Sequence, residues 1–189
     1  MKTSRIGLQL GALALALATL NTAQAGKAHV HGVAKLDVAI EGNKLTVALE
    51  SPLDSLLGFE RAPRTDAERK AAADMLARLR SGGALFTADA AAGCALSKAE
   101  VSAPVLEAVA KAAVPAVTTT SGKAPPNEHA DLDASYEYTC AQPQQLRSLD
   151  LGLFDAFPRM QRIEVQVAGP QGQSKATLKR PTRAVKLVR

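Results

Sequence analysis

The chain contains three histidines, His29, His31 and His129, and each precedes or opens a run in which apolar and polar residues alternate. In an extended strand, residues two apart point the same way with α-carbons about 6.5 Å apart, so the H-x-H pair of His29 and His31 can offer two imidazoles to one ion. Neutral imidazole nitrogen suits zinc, copper or nickel, and a tetrahedral zinc then needs one or two further ligands. His129, flanked by Glu128 and Asp131, would supply a third wherever the two runs begin side by side. The plainer reading is that two exposed histidines near a mature N-terminus do nothing. Against it stands their placement on the polar side, which leaves none of them to fill a core.

Other chemistry finds little support. A hydrolase needs a nucleophile and an oriented base, and the sequence holds no G-x-S-x-G and no H-E-x-x-H. The expectation is therefore a protein that is not an enzyme; a zinc hydrolase built on the three histidines would show activity that a chelator abolishes. Asp37, Glu41, Asp131, Asp133 and Glu137 read as solvated acids on polar strand faces. The basic C-terminal residues Lys179, Arg180, Arg183, Lys186 and Arg189 read as the charges of a solvated edge strand, with anionic headgroups as the other candidate contact.

The elements that must position these residues begin after a leader. Lys2 and Arg5 form a basic region, Leu8 to Leu20 is almost all Leu and Ala, and Ala23-Gln24-Ala25 is a cleavage site. The apolar run is too short to span a bilayer core, which needs about 20 residues. Residues 1–25 are thus expected to be a signal peptide and 26–189 a single mature α+β domain, periplasmic or otherwise outside the cytoplasm, with no stable membrane insertion. Cleavage after Gly26 would instead place His29 third from a free amine, a nitrogen set that prefers Cu²⁺ or Ni²⁺. The better-formed cut after Ala25 leaves Zn²⁺ as the first expectation. The full-chain formal charge of +5 falls once the basic leader is removed, and with no Trp the stacking platforms of single-stranded nucleic-acid binders are missing. Cys94 and Cys140 are the only cysteines. An oxidising compartment would join them, and two thiolates on a metal is the alternative.

From Ala28 to Glu41 the alternation predicts one strand, with Val30, Ala34, Leu36, Val38 and Ile40 on its apolar face and His29, His31, Lys35, Asp37 and Glu41 on the other. Gly42-Asn43 predicts a two-residue hairpin turn that pairs Ile40 with Leu45, Val38 with Val47 and Leu36 with Leu49. Thr65 and Glu68 have the spacing of a capping box, and Ala72, Met75, Leu76 and Leu79 follow at helical intervals, predicting a helix over 66–81. Short strands are expected around Leu85-Phe86, Cys94–Leu96 and Val101–Val105, and a flexible loop around 114–128. Leu132 to Cys140, Leu149 to Leu153, Ile163 to Val167, Lys175 to Lys179 and Ala184 to Val188 complete the strands. The expected fold class is α+β, a mainly antiparallel β-sheet or sandwich with one long amphipathic helix.

Ala28-His29-Val30-His31-Gly32-Val33-Ala34, the segment Ser51-Pro52-Leu53 through Gly58-Phe59-Glu60 and Ala62-Pro63, and the stretch His129 to Cys140 with Phe157-Pro158 and Gly172-Gln173 together resemble the ZrgA-like family of exported proteins. The resemblance spans nearly the whole mature chain. It implies a bacterial periplasmic protein that binds zinc beside a zinc-uptake transporter component, with the A-H-x-H-G segment carried by His29 and His31 and the later histidine by His129. The expectation drawn from residues and resemblance together is a periplasmic metal-binding protein, Zn²⁺ held by His29, His31 and His129 with water or a carboxylate completing the shell. The other reading is a non-catalytic envelope scaffold or protein-interaction module in which the histidines are incidental.

Overall fold

The computed structural model describes residues 30–107 and 130–187. The expected leader, the loop expected around 114–128, and both His29 and His129 lie outside the described residues.

The first alternating run becomes strand β1, Val33–Glu41, and starts later than expected. The Val33 amide donates to the Val30 carbonyl at 3.1 Å, and Gly32 takes a φ of 77°. Positive φ at the third position of a four-residue turn is what a glycine supplies at no steric cost. The chain therefore turns at His31 and does not run straight through it, so His31 is not on the polar face of a strand. The hairpin to β2, Lys44–Pro52, keeps the predicted register: Ile40 opposite Leu45, Val38 opposite Val47 and Leu36 opposite Leu49.

Helix α1, Leu53–Leu57, follows β2 directly and stops at Gly58. Helix α2 covers Asp66–Ser81, with the Thr65 hydroxyl accepting from the Glu68 amide and the Glu68 carboxylate accepting from the Thr65 amide. Its buried side is narrow, namely Ala72, Met75 and Leu79, so the broad apolar stripe expected of a long amphipathic helix is not present. Beyond it lie β3, Phe86–Ala88, and β4, Cys94–Ser102. The short strands expected at Cys94–Leu96 and from Val101 are one strand, broken in register by a bulge between Leu96 and Lys98. A helical segment follows at 104–107.

After the described residues resume, β5 is Asp131–Cys140, β6 Ser148–Leu151, β7 Arg162–Gly169, β8 Gly172–Lys179 and β9 Ala184–Lys186. Leu153, expected to extend β6, instead opens the short helix Leu153–Ala156. The strands form a six-stranded sheet in the order β4-β5-β2-β1-β7-β8 and a three-stranded sheet in the order β3-β6-β9. Among the described residues every pairing is antiparallel except β1 with β7, which is parallel. The molecule is thus mostly β with few helices, as expected in outline.

One face of the large sheet is buried. Leu36, Val47, Leu49, Leu132, Tyr136, Ile163 and Val165 line it and join Leu79 of α2 and Phe86 of β3 in one core cluster. Tyr136 and Phe86 bring their rings to 4.8 Å between centroids. The opposite face carries Lys35, Asp37, Glu50, Asp133 and Glu137, half-buried or exposed, as antiparallel sheets commonly do on their solvated side. Cys94 and Cys140 are directly opposite in β4 and β5 and form a disulfide. Among the described residues no helix is long and apolar enough to cross a membrane.

Two of the C-terminal cations expected on a solvated edge are used internally. Arg180 donates to the carbonyls of Phe154, Met160 and Phe157. Arg183 holds Asp150 and Asp155.

Candidate metal centre

β1, β5 and β7 begin, and β2 ends, at the same end of the large sheet. Pro52 is opposite Asp131, and Val33 is opposite Arg162. The sequence reading required the starts of β1 and β5 to be immediate neighbours. They are not, because β2 lies between them. Two strand spacings, about 10 Å, separate them. The Leu53 amide donates to the Ala130 carbonyl at 2.9 Å, so the residue bonded to His129 is seated beside the β2–α1 junction. Val30, bonded to His29, is on the other side of that junction, where it lines a small cavity of about 110 Å³ with Val33, Pro52 and Glu50.

His31 stands at this end, and its turn is fixed from three sides. The Gly32 amide donates to the buried Ser55 hydroxyl of α1 at 2.9 Å. The Gly32 carbonyl accepts from Gln161 at 2.8 Å and Arg162 at 3.0 Å. A side chain at position 32 would meet the Arg159 carbonyl and Gln161 at 3.4 Å on a backbone of positive φ, which is why glycine follows the histidine. The backbone on either side of His31 is therefore held, while its side chain is 64% exposed.

Two carboxylates face the imidazole. Glu60 Oε1 is 3.2 Å from Nε2, and Asp54 Oδ2 is 3.7 Å from Nδ1. Both acids are mostly covered, Glu60 at 21% and Asp54 at 25% exposure. Asp54 is in the first turn of α1, where the helix dipole favours a negative charge. Glu60 follows Gly58-Phe59 in the loop that leaves α1. The adjacent cation, Arg61, is turned away: it stacks over the Phe59 ring at 5.0 Å and gives both terminal nitrogens to Glu68, at 2.9 and 2.7 Å. Arg159 lies over Gly58 on the neighbouring side.

Sequence reasoning named His31 and missed both acids. They belong to no alternating run; Asp54 directly follows the S-P-L segment and Glu60 is the last residue of G-F-E. Among the described residues no three His, Cys, Asp or Glu side chains converge as a ready metal site. His29 and His129 lie outside those residues, and the cysteines are consumed by the disulfide. The donor types present, imidazole and carboxylate, fit zinc and other borderline divalent ions and not soft monovalent ones.

Comparison with curated proteins finds no match. The profile of a protein family does match, over residues 28–187, and its description reads ZrgA family zinc uptake protein. That span takes in the turn at His31, the Asp54 and Glu60 carboxylates and every strand of both sheets, and the chain belongs to the ZrgA family of zinc uptake proteins.

Proposed function

We propose that the mature protein binds Zn²⁺ as cargo in the periplasm, through His29, His31 and His129, as a non-catalytic accessory to zinc uptake. Although β2 separates the starts of β1 and β5 by about 10 Å, both lie at one end of the large sheet, and this meeting of chain segments is the observation that carries the reading. Val30 and Ala130, each one bond from a histidine, flank the β2–α1 junction where His31 faces Asp54 and Glu60. Family membership supports the metal and the process. The Cys94–Cys140 disulfide supports an oxidising compartment. With three histidines in the chain, the reading is one site and not bulk storage. A transporter component is the proposed recipient.

The test is calorimetric titration of tag-free protein spanning 26–189 with Zn²⁺, beside a variant carrying His29→Ala and His31→Ala. One site of micromolar or tighter affinity, lost in the variant, is the expected result. Equal heats from both proteins would overturn the reading in favour of an envelope scaffold with incidental histidines.

A further inference from the structure

We infer that Glu60 ligates the zinc beside His31 and that Asp54 is a positioning residue for His31. The inference rests on the zinc-binding reading above and assigns residues that it leaves open.

The first argument is geometric. Two ligands each about 2.0–2.2 Å from a tetrahedral zinc stand roughly 3.3 Å apart along the edge of the tetrahedron. His31 Nε2 and Glu60 Oε1 are 3.2 Å apart. A zinc ion placed on the far side of that edge would meet both atoms with little movement of either.

The second argument concerns the other ring nitrogen. A metal-bound histidine ordinarily gives its remaining N–H to a carboxylate or carbonyl, which fixes the tautomer and strengthens the ligand. Asp54 Oδ2 lies 3.7 Å from Nδ1, beyond hydrogen-bond length and on the correct side of the ring for that role. A small rotation of the exposed imidazole closes the gap.

The experiment uses the mature chain and Zn²⁺ alone, with affinity read by competition against a chromogenic chelator. Co²⁺ replacement reports the ligand set through its visible absorption. Glu60→Gln is expected to weaken Zn²⁺ by at least about tenfold and to alter the Co²⁺ spectrum. Glu60→Asp keeps the charge, pulls the oxygen back by one methylene, and is expected to weaken binding too; it serves if the glutamine variant fails to fold. Asp54→Asn is expected to weaken binding by up to about tenfold with an unchanged Co²⁺ ligand count, while the ring ¹⁵N shifts of His31 report a mixed tautomer. Wild-type binding lost in the double-histidine variant but unchanged in both Glu60 variants would overturn this assignment and leave the zinc reading standing. No saturable binding by the wild type would overturn both.

Discussion

The Tyr136 hydroxyl donates to the Leu79 carbonyl at 2.9 Å, fastening the last turn of α2 to the middle of β5. Two positions along the same strand, Tyr138 is also buried, and its hydroxyl has no hydrogen-bond partner among the described residues. The two tyrosines therefore predict opposite outcomes for one substitution. Tyr136→Phe removes one of two donors to the Leu79 carbonyl, which keeps the Gly82 amide at 3.2 Å, and should cost about 1 kcal/mol, whereas Tyr138→Phe removes an unpaired buried hydroxyl and should be neutral or stabilising. Urea unfolding of the two variants decides it, and equal losses would show that the hydrogen bond is not what matters. Burial also pushes the Tyr138 phenol up to about 12. The folded state thus resists ionisation that the unfolded chain undergoes near pH 10, so this contribution is full below pH 10 and is lost between about 10 and 12.

Glu68 predicts the behaviour in acid. The Arg61 side chain, and then the Arg64 and Thr65 amides, hold its carboxyl at about 2 against an ordinary 4.5. A group whose pKa is depressed on folding contributes above its unfolded value and loses that contribution as pH falls through the folded one. The difference in melting temperature between wild type and Glu68→Gln should be constant above pH 5 and shrink steadily toward pH 2. A difference that does not change with pH would mean that the charged pairing contributes nothing.

Ser55 links the core to the candidate site. It is fully buried, and its hydroxyl accepts from Gly32. Ser55→Ala leaves that amide without its partner and should cost roughly 1–3 kcal/mol. It should also weaken Zn²⁺, because the turn bearing His31 is loosened. Ser51 is as deeply buried, but its hydroxyl only touches the Pro52 carbonyl, at 3.3 Å. Ser51→Ala should lower stability and leave zinc affinity unchanged, so chelator competition on both variants separates the two effects.

Gly152 predicts a steric limit. A Cβ there would be 2.1 Å from the Ala84 carbonyl oxygen, and that backbone is tied in place because the Gly152 amide donates to Leu85 at 2.9 Å. Gly152→Ala should destabilise by about 3 kcal/mol, at the upper end for an overpacked site. A melting temperature close to wild type would show that the Ala84 segment yields.

The hairpin of β1 and β2 was legible because strict alternation and a glycine–asparagine turn leave one register that buries no charge. α2 was legible from its capping box, since Thr65 and Glu68 act within one turn of the chain. The parallel pairing of Val33 with Arg162 was not, because strands so far apart in sequence leave no local mark on each other. At the site, His29, His31 and His129 were visible as residue types, but reading Gly32 as one more alternating position put His31 on a strand. Asp54 and Glu60 escaped because they are brought to His31 by a helix of five residues, too short to show a period.

The parallel neighbour of β1 has a consequence in time. A chain made from its N-terminus can close the β1–β2 hairpin at once, yet one edge of β1 waits for β7, whose first residue is Arg162 opposite Val33. The Gly32 carbonyl waits as well, because its donors are Gln161 and Arg162. Non-local pairings of this kind form late, after the entropy of a long loop has been overcome. The turn that presents His31 is therefore among the last parts of the molecule to set, and a chain truncated before β7 would carry the histidine without the geometry to use it.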